Sequence, residues 1–295
     1  MSKLRIGLVA DIHAGVTRTN IRSDRAIDLL DAVIADANQR DLDLFVTLGD
    51  NVNATSIEED RRYLGEVATA LRKSTARVVP LFGNNEMKFL GAEEAARVLD
   101  CSPGSEMRSV NGWTLIFWRT ECELSLANGL RLREEELAWL TSALERAAYP
   151  AVIFTHAPID SNAMIGNYYF QERADLGSYT NSRDARALIA ASGKVVLVLA
   201  GHVHWHSGST ISGIHHRTLP SLTDTFECSG EPSGAWAVLE LDSGRMSLEV
   251  FGREPMSWAA PPRARHSAWY EPMPRDAFSS RMTKLWSERT ADAAE

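Results

Sequence analysis

The sequence predicts an α/β protein in which two β-sheets pack face to face as a sandwich, with helices on the outside. Three observations predict it. Short β-branched apolar runs recur as far as residue 200, several of them ending in a glycine or a polar cluster. Helical patterns with apolar residues three and four apart lie between those runs. From Ile211 onward, strand patterns follow one another with no helix between them.

Taken in order, LRIGLVA (4–10) is the first strand. In the DRAIDLLDAVIADAN stretch, Ile27, Leu30, Val33, Ile34 and Ala37 then make one apolar helix face. DLFVTL (43–48) is the second strand, followed by a helix on which Leu64, Val67, Ala68 and Leu71 repeat that spacing. RVVPLF (77–82) and WTLIFW (113–118) are the next strands, and Leu137, Leu140 and Leu144 mark another helix. AVIFT (151–155) is a strand. A helix follows Asn181-Ser182, with Asp184 in its first turn. KVVLVLA (194–200) closes the alternating part. HHRTLP, AWAVLEL and MSLEVF are the late strands, the last two joined by the turn Asp242-Ser243-Gly244. Past Phe251 the chain turns rich in Pro, Arg and Trp. The expected division is a domain over 1–252 and an extension over 253–295 that packs on the domain or on a partner and ends in a disordered tip.

Composition narrows the function classes. A chain of 295 residues with 44% apolar and 24% charged residues reads as an ordinary soluble globular protein. Its net charge of -8 recruits neither nucleic acid nor an anionic membrane, so an anionic substrate needs a local offset such as metal ions. Three cysteines, odd in number and without CxxC spacing, argue against a disulfide framework or a zinc knuckle. No apolar run reaches membrane-spanning length and the N-terminal run lacks a cleavage site, which makes cytoplasm the expected location.

Chemistry in α/β sheets collects just past the carboxyl ends of strands. Those positions here read Asp11-Ile12-His13, Gly49-Asp50-Asn51, Gly83-Asn84-Asn85-Glu86, His156, and Gly201-His202-Val203-His204. Each alone is readable as a turn or as a hydrogen-bonded histidine. Five strand ends in one chain that all offer a carboxylate, a carboxamide or an imidazole are not explained as turns; these are ligands suited to Mn, Fe or Zn. Asp11, His13, Asp50, Asn84, His156, His202 and His204 suffice for two half-sites sharing one carboxylate.

The ordered set DIH, GDNVN, GNNE, TH and GHVH resembles the calcineurin-like metallophosphoesterases, over residues 4 to 251. The resemblance implies a four-layer αββα sandwich of two mixed β-sheets and a two-metal hydrolase of phosphate esters. It assigns one ion to Asp11, His13, Asp50 and His204, and the other to Asp50, Asn84, His156 and His202. The ions are divalent or trivalent: Mn, Fe or Zn. Among these residues Asp50 and His204, with Asn85, carry the catalytic roles, and the reaction is in-line attack of a metal-bridging hydroxide on phosphorus.

One position departs from the family pattern G-N-H-D/E. Asn85 stands where the family has a histidine that donates to the phosphate or protonates the leaving oxygen, and an amide cannot deliver a proton. Glu86 resembles the acid that orients that histidine. The departure favours a phosphodiesterase of small-molecule substrates. The alternatives are a monoesterase of the same fold, or a weakly active metal-binding scaffold for protein interaction. The acidic charge disfavours a nuclease. His206, His215 and His216 are candidate replacement donors, and His206, Trp205 and Asn85 are candidate substrate contacts. Ser161 to Thr180, carrying Tyr168, Tyr169, Phe170 and Tyr179, reads either as a cap on the pocket or as a packed loop. Arg173 and Arg183 could hold a distal phosphate. Trp258, Trp269, Tyr270 and Trp286 read as anchors onto the domain or onto a homodimer mate.

Overall fold

The computed structural model describes residues 2–162, 164–262 and 273–292. Contacts divide the chain into two units, Met1–Arg265 and His266–Glu295. In chain order the first unit begins with β1 (Leu4–Val9), α1 (Ala26–Ala37), β2 (Leu44–Leu48), α2 (Ile57–Leu71) and β3 (Arg77–Leu81). It continues with α3 (Asn84–Phe89), α4 (Gly91–Leu99), β4 (Glu106–Val110) and β5 (Trp113–Phe117). A small hairpin, β6 (Leu124–Ser125) and β7 (Gly129–Leu130), precedes α5 (Glu134–Arg146) and β8 (Ala151–Phe154). Next come α6 (Ala174–Gly177), α7 (Ser182–Ser192), β9 (Val195–Ala200), β10 (Gly208–Ile211) and β11 (Ile214–Thr218). The unit closes with β12 (Trp236–Leu241), β13 (Met246–Phe251) and β14 (Met256–Ala260). The second unit holds α8 (Arg275–Asp292), and its described side chains, Arg275 to Lys284, are mostly exposed.

Side-chain alternation along the strands sets the layers. Leu4, Ile6 and Leu8 of β1, with Leu44, Val46 and Leu48 of β2, meet Trp113, Leu115, Phe117, Val152, Phe154, Leu197 and Leu199 from the other sheet in one buried cluster. The intervening residues face outward. Phe45 and Val238 pack against Leu30, Val33, Ile34, Val67 and Leu71 of α1 and α2. Ile116, Ile153 and Val198 pack against Leu140, Leu144, Ala185 and Ile189 of α5 and α7. Removing each such side chain from water contributes about 1.5–3 kcal/mol. The result is the four-layer αββα sandwich.

The first sheet has the order β14-β13-β12-β1-β2-β3 and the second β10-β11-β9-β8-β5-β4. Both are mixed: β1, β2 and β3 run parallel, as do β5, β8, β9 and β11, while the remaining pairs are antiparallel. The loops that leave the parallel strands therefore share one end of the sandwich. They are stitched together there by His13 N–H to the Asp50 carbonyl at 2.9 Å, Gly201 N–H to the His156 carbonyl at 2.8 Å and Leu222 N–H to the Ala10 carbonyl at 3.1 Å.

Three features differ from the sequence expectation. The chain after β3 turns directly into α3 and α4, whose buried Ala95 and Ala96 join Val52, Leu64 and Phe82 in a further apolar cluster. Strand β14 pairs with β13 beyond residue 252, where the sequence places the end of the domain. Residues 275–292, part of the expected extension and given no secondary structure by the sequence, are helical. Trp258 of β14 packs on the domain, its ring 5.1 Å from that of His215 and under the Arg217 guanidinium. Trp269, Tyr270, the Trp286 side chain and the tip at 293–295 lie outside the described residues. Among the described residues, no helix is long and apolar enough to cross a membrane.

Candidate metal centre

At the shared end of the sandwich, Asp11, His13, Asp50 and His204 each place a ligand atom within 4.8 Å of one another, and Asp50, His156 and His202 do the same. Asp50 belongs to both groups. The Asn84 carboxamide oxygen joins the second, 3.2 Å from His156 Nε2. The structure thus brings together all seven donors that the strand ends offered, in the two sets that the family resemblance implies.

The backbone is bent hard to do this. Asp11 (φ 51°), His13 (49°), Asp50 (51°), His202 (68°) and His204 (59°) all sit in the left-handed region, uncommon for residues with a side chain. Two glycines let the loops approach. A Cβ on Gly201 would lie 2.6 Å from the Asp11 carboxylate, and one on Gly83 would fall on Asp50 and 2.6 Å from His156 Cε1.

Three of the four imidazoles are oriented by their other nitrogen. His156 Nδ1 donates to the Leu48 carbonyl at 2.8 Å, which leaves Nε2 bare toward Asn84 and Asp50. His202 Nε2 donates to the Leu176 carbonyl at 2.8 Å, leaving Nδ1 for the cluster. His204 Nδ1 donates to the Asp224 carboxylate at 2.7 Å, so its Nε2 points at His13 Nε2, 2.9 Å away. Asp11 accepts the His202 N–H at 2.9 and 3.0 Å. Lone pairs aimed inward from fixed tautomers, around buried carboxylates, are the donor set two divalent ions need.

Burial governs the electrostatics. It raises the Asp11 carboxyl to about 8 and raises Asp50 as well. It lowers His156 and His202 to about 3, and lowers His13 further through the neighbouring His204. For His204 burial opposes the cation, but the Asp224 hydrogen bond and the charges of Asp11, Asp224 and Asp50 outweigh it and raise its pKa. A proton held on His204 Nε2 and donated to His13 keeps two imidazole lone pairs from meeting at 2.9 Å.

Glu86 has a different partner from the one expected of it. Its buried carboxylate accepts the backbone N–H groups of Gly83 (2.7 Å), Asn51 (2.5 Å), Val52 (3.0 Å) and Asp50 (3.2 Å), clamping the loop after β2 onto the start of α3. Asn85 is 9% exposed; its backbone N–H donates to Asp50 Oδ1 at 2.9 Å and its amide to Asp50 Oδ2.

The cluster floors a cleft of about 730 Å³, also lined by Arg18, Asn85, Lys88, Glu121, Tyr169 and Phe170. Among the described residues, the histidines that line it are His13, His202 and His204, all in the ligand sets. His206, His215 and His216 do not line it: His216 is buried beside Arg186 and Ile189, and His215 packs on Trp258. Trp205 is also absent from the wall, its ring beside Gly166. Arg173 pairs with Asp175 at 2.8 Å and Arg183 is exposed; the cations at the cleft are Arg18 and Lys88. The aromatic segment divides. Tyr169 and Phe170 face the cleft, whereas Tyr179 is core, its hydroxyl 2.6 Å from Thr120 Oγ1. Asp224 was not read from the sequence. It follows β11, a strand parallel to β9, so the strand-end rule applied to the residues after HHRTLP would have found it.

The calcineurin-like phosphoesterase family model matches residues 4–206, and the chain belongs to that family. No curated protein sequence matches it. Among solved structures, a dimetal phosphatase from Danio rerio superposes with a TM-score of 0.72 at 17% identity, covering 88% of this chain and 99% of that one. GAP50, the anchor in the inner membrane complex of Plasmodium, gives 0.60 at 13% identity over 90% of both chains. Phosphopantetheinyl hydrolase from Mycobacterium tuberculosis gives 0.50 at 15%, over 74% of this chain and 90% of that one. At such identities the likeness is one of fold.

Proposed function

We propose that the protein is a dinuclear metal-dependent phosphodiesterase acting on a small-molecule phosphodiester. The observation that carries this reading is the pair of donor clusters sharing Asp50 on the floor of a cleft that Asn85 also lines, the residue at the motif position where the family resemblance implies a histidine. Asp11, His13, Asp50 and His204 would hold one ion, and Asp50, Asn84, His156 and His202 the other. Two such ions supply Lewis acidity toward phosphate oxygens and a water acidified to near neutral pH. The Danio rerio protein's description as a dimetal phosphatase agrees with that stoichiometry.

The chain's own groups favour a diester. The Asn85 amide spends one N–H on Asp50 and has a second for a substrate oxygen, but no proton to give. A monoester dianion brings one more charged oxygen than a diester, and among the described residues the wall offers it no imidazole outside the ligand sets. Met87, Leu124, Leu126 and Phe170 supply apolar wall for a second ester substituent, and Arg18 and Lys88 supply positive charge.

The test is a matrix of Mn²⁺, Co²⁺, Ni²⁺ and Zn²⁺ against bis-p-nitrophenyl phosphate, p-nitrophenyl phosphate, cyclic nucleotides, glycerophosphodiesters and nucleotide diphosphates. The expected result is diester turnover well above monoester turnover. Faster monoester turnover overturns the diesterase assignment, and no turnover with any ion overturns the enzyme.

A further inference from the structure

The segment after β8 does more than wall the cleft. Its Tyr169 hydroxyl donates to Asp224 Oδ2, the oxygen that also accepts His204 Nδ1–H at 2.7 Å, and itself accepts from the Asn20 amide. Asp224 Oδ1 takes the N–H groups of Thr225 (2.6 Å) and Phe226 (3.0 Å). The carboxylate thus has four donors for its four lone-pair sites and is 3% exposed, which leaves it one orientation. The same segment reaches the GHVH loop twice more. Asn167 donates to the Val203 carbonyl at 2.8 Å, and the Leu176 carbonyl accepts His202 Nε2–H at 2.8 Å.

We propose that Tyr169 and Asp224 are positioning residues for His204, and that the segment carrying Tyr169 braces the last two histidines rather than opening and closing over substrate. The proposal rests on the two-ion reading above. Tyr169 is not the missing proton donor, because its hydroxyl proton is committed to Asp224 and its lone pair to Asn20. What it does is hold Asp224, and Asp224 holds His204 in the tautomer whose Nε2 faces Asp11 and His13. The backing is unequal: His156 and His202 lean on neutral carbonyls, His204 on a carboxylate, which makes it the more basic ligand. The ion held by Asp11, His13, Asp50 and His204 therefore depends on Asp224 and Tyr169, and its neighbour does not.

The experiment compares the full chain with Tyr169→Phe, which keeps the ring against His204, and with Asp224→Asn, which keeps the shape. Mn²⁺ uptake is followed by calorimetry, the visible spectrum of the Co²⁺-loaded protein reports ligand geometry, and melting of the metal-free protein reports folding. Asp224→Asn should weaken one of the two ions by about 10- to 100-fold, the usual effect of losing a ligand's outer partner. Tyr169→Phe should weaken the same ion by about 2- to 10-fold, a hydrogen bond's worth. The Co²⁺ spectrum should change in both, with metal-free melting unchanged in Tyr169→Phe. Unchanged uptake in both variants overturns the proposal, as does equal weakening of both ions with a lowered melting temperature, which marks general loosening. A parent chain that takes up fewer than two ions overturns this proposal together with the functional reading. Two ions, site-selective variants and no diester hydrolysis would sink that reading alone and support the positioning role.

Discussion

Asn85 and Glu86 show how far a single motif position reaches. A histidine at 85 would bring a transferable proton, which elsewhere is worth about 10²–10⁴-fold in rate. Here its gain is capped, because the carboxylate expected to orient it is occupied by four backbone N–H groups. Asn85→His is accordingly expected to raise the monoester-to-diester rate ratio by about 10-fold, the low end or below of what a general acid provides. Steady-state rates on the two p-nitrophenyl esters check it, and an unchanged ratio removes the lost acid as the source of selectivity. The Glu86 clamp was illegible in the sequence for a physical reason. Backbone N–H groups leave no trace in residue identity, so a carboxylate that caps a loop reads the same as one that orients a side chain.

At the scale of strands and loops, the site was legible because the architecture concentrates it. Parallel strands put their exits at one end, and Asp11, His13, Asp50, Asn84, His156, His202 and His204 are read off the exits of β1, β2, β3, β8 and β9. What escaped are groups with no such signature: the Leu48 and Leu176 carbonyls, the α3–α4 pair and the sixth strand β14. Asp224 escaped because the exit of β11 went unread. The tight loop crossing also makes a prediction. Gly201→Ala places a methyl 2.6 Å from the Asp11 carboxylate, at a φ that alanine tolerates, so the damage is local to the ligand. Metal uptake should fall by about 10-fold or more, while the metal-free chain loses about 1–3 kcal/mol, typical of overpacking. Paired calorimetric titration and denaturant unfolding separate the two effects, and a large stability loss with normal uptake contradicts this account.

For the molecule as a whole, pH and metal act on one equilibrium. The Asp11 pKa is raised from 3.8 to about 8, so its contribution to stability is full at low pH and declines as pH rises through 8. The raised His204 acts in the same direction above its ordinary 6.5. His156 and His202, lowered from 6.5 to about 3, act oppositely, with a contribution intact above 6.5 and lost as pH falls toward 3. Between pH 6.5 and 8 the two lowered histidines no longer change, while Asp11 and His204, together with Glu86, which burial also raises to about 8, lose their contribution. The metal-free protein should therefore melt lower at pH 8 than at 6.5, and saturating Mn²⁺, by pairing the buried carboxylates, should remove that decline. Scanning calorimetry with chelator and with metal at both pH values measures the gap, which must widen toward pH 8. A constant gap would mean that these groups do not control the linkage.

The left-handed backbone at five ligand positions extends this to the living cell. Held conformations of that kind cost about 1–3 kcal/mol each, and without ions the buried carboxylates add to the burden. A chain in that condition opens more often, and the open form is what proteases and chaperones meet. On the two-ion reading proposed above, metal supply then governs how long each copy survives as well as how fast it turns over. Half-life in a pulse-chase under chelation is the quantity that registers this; equal lifetimes with and without chelator would show that the strain is absorbed elsewhere in the fold.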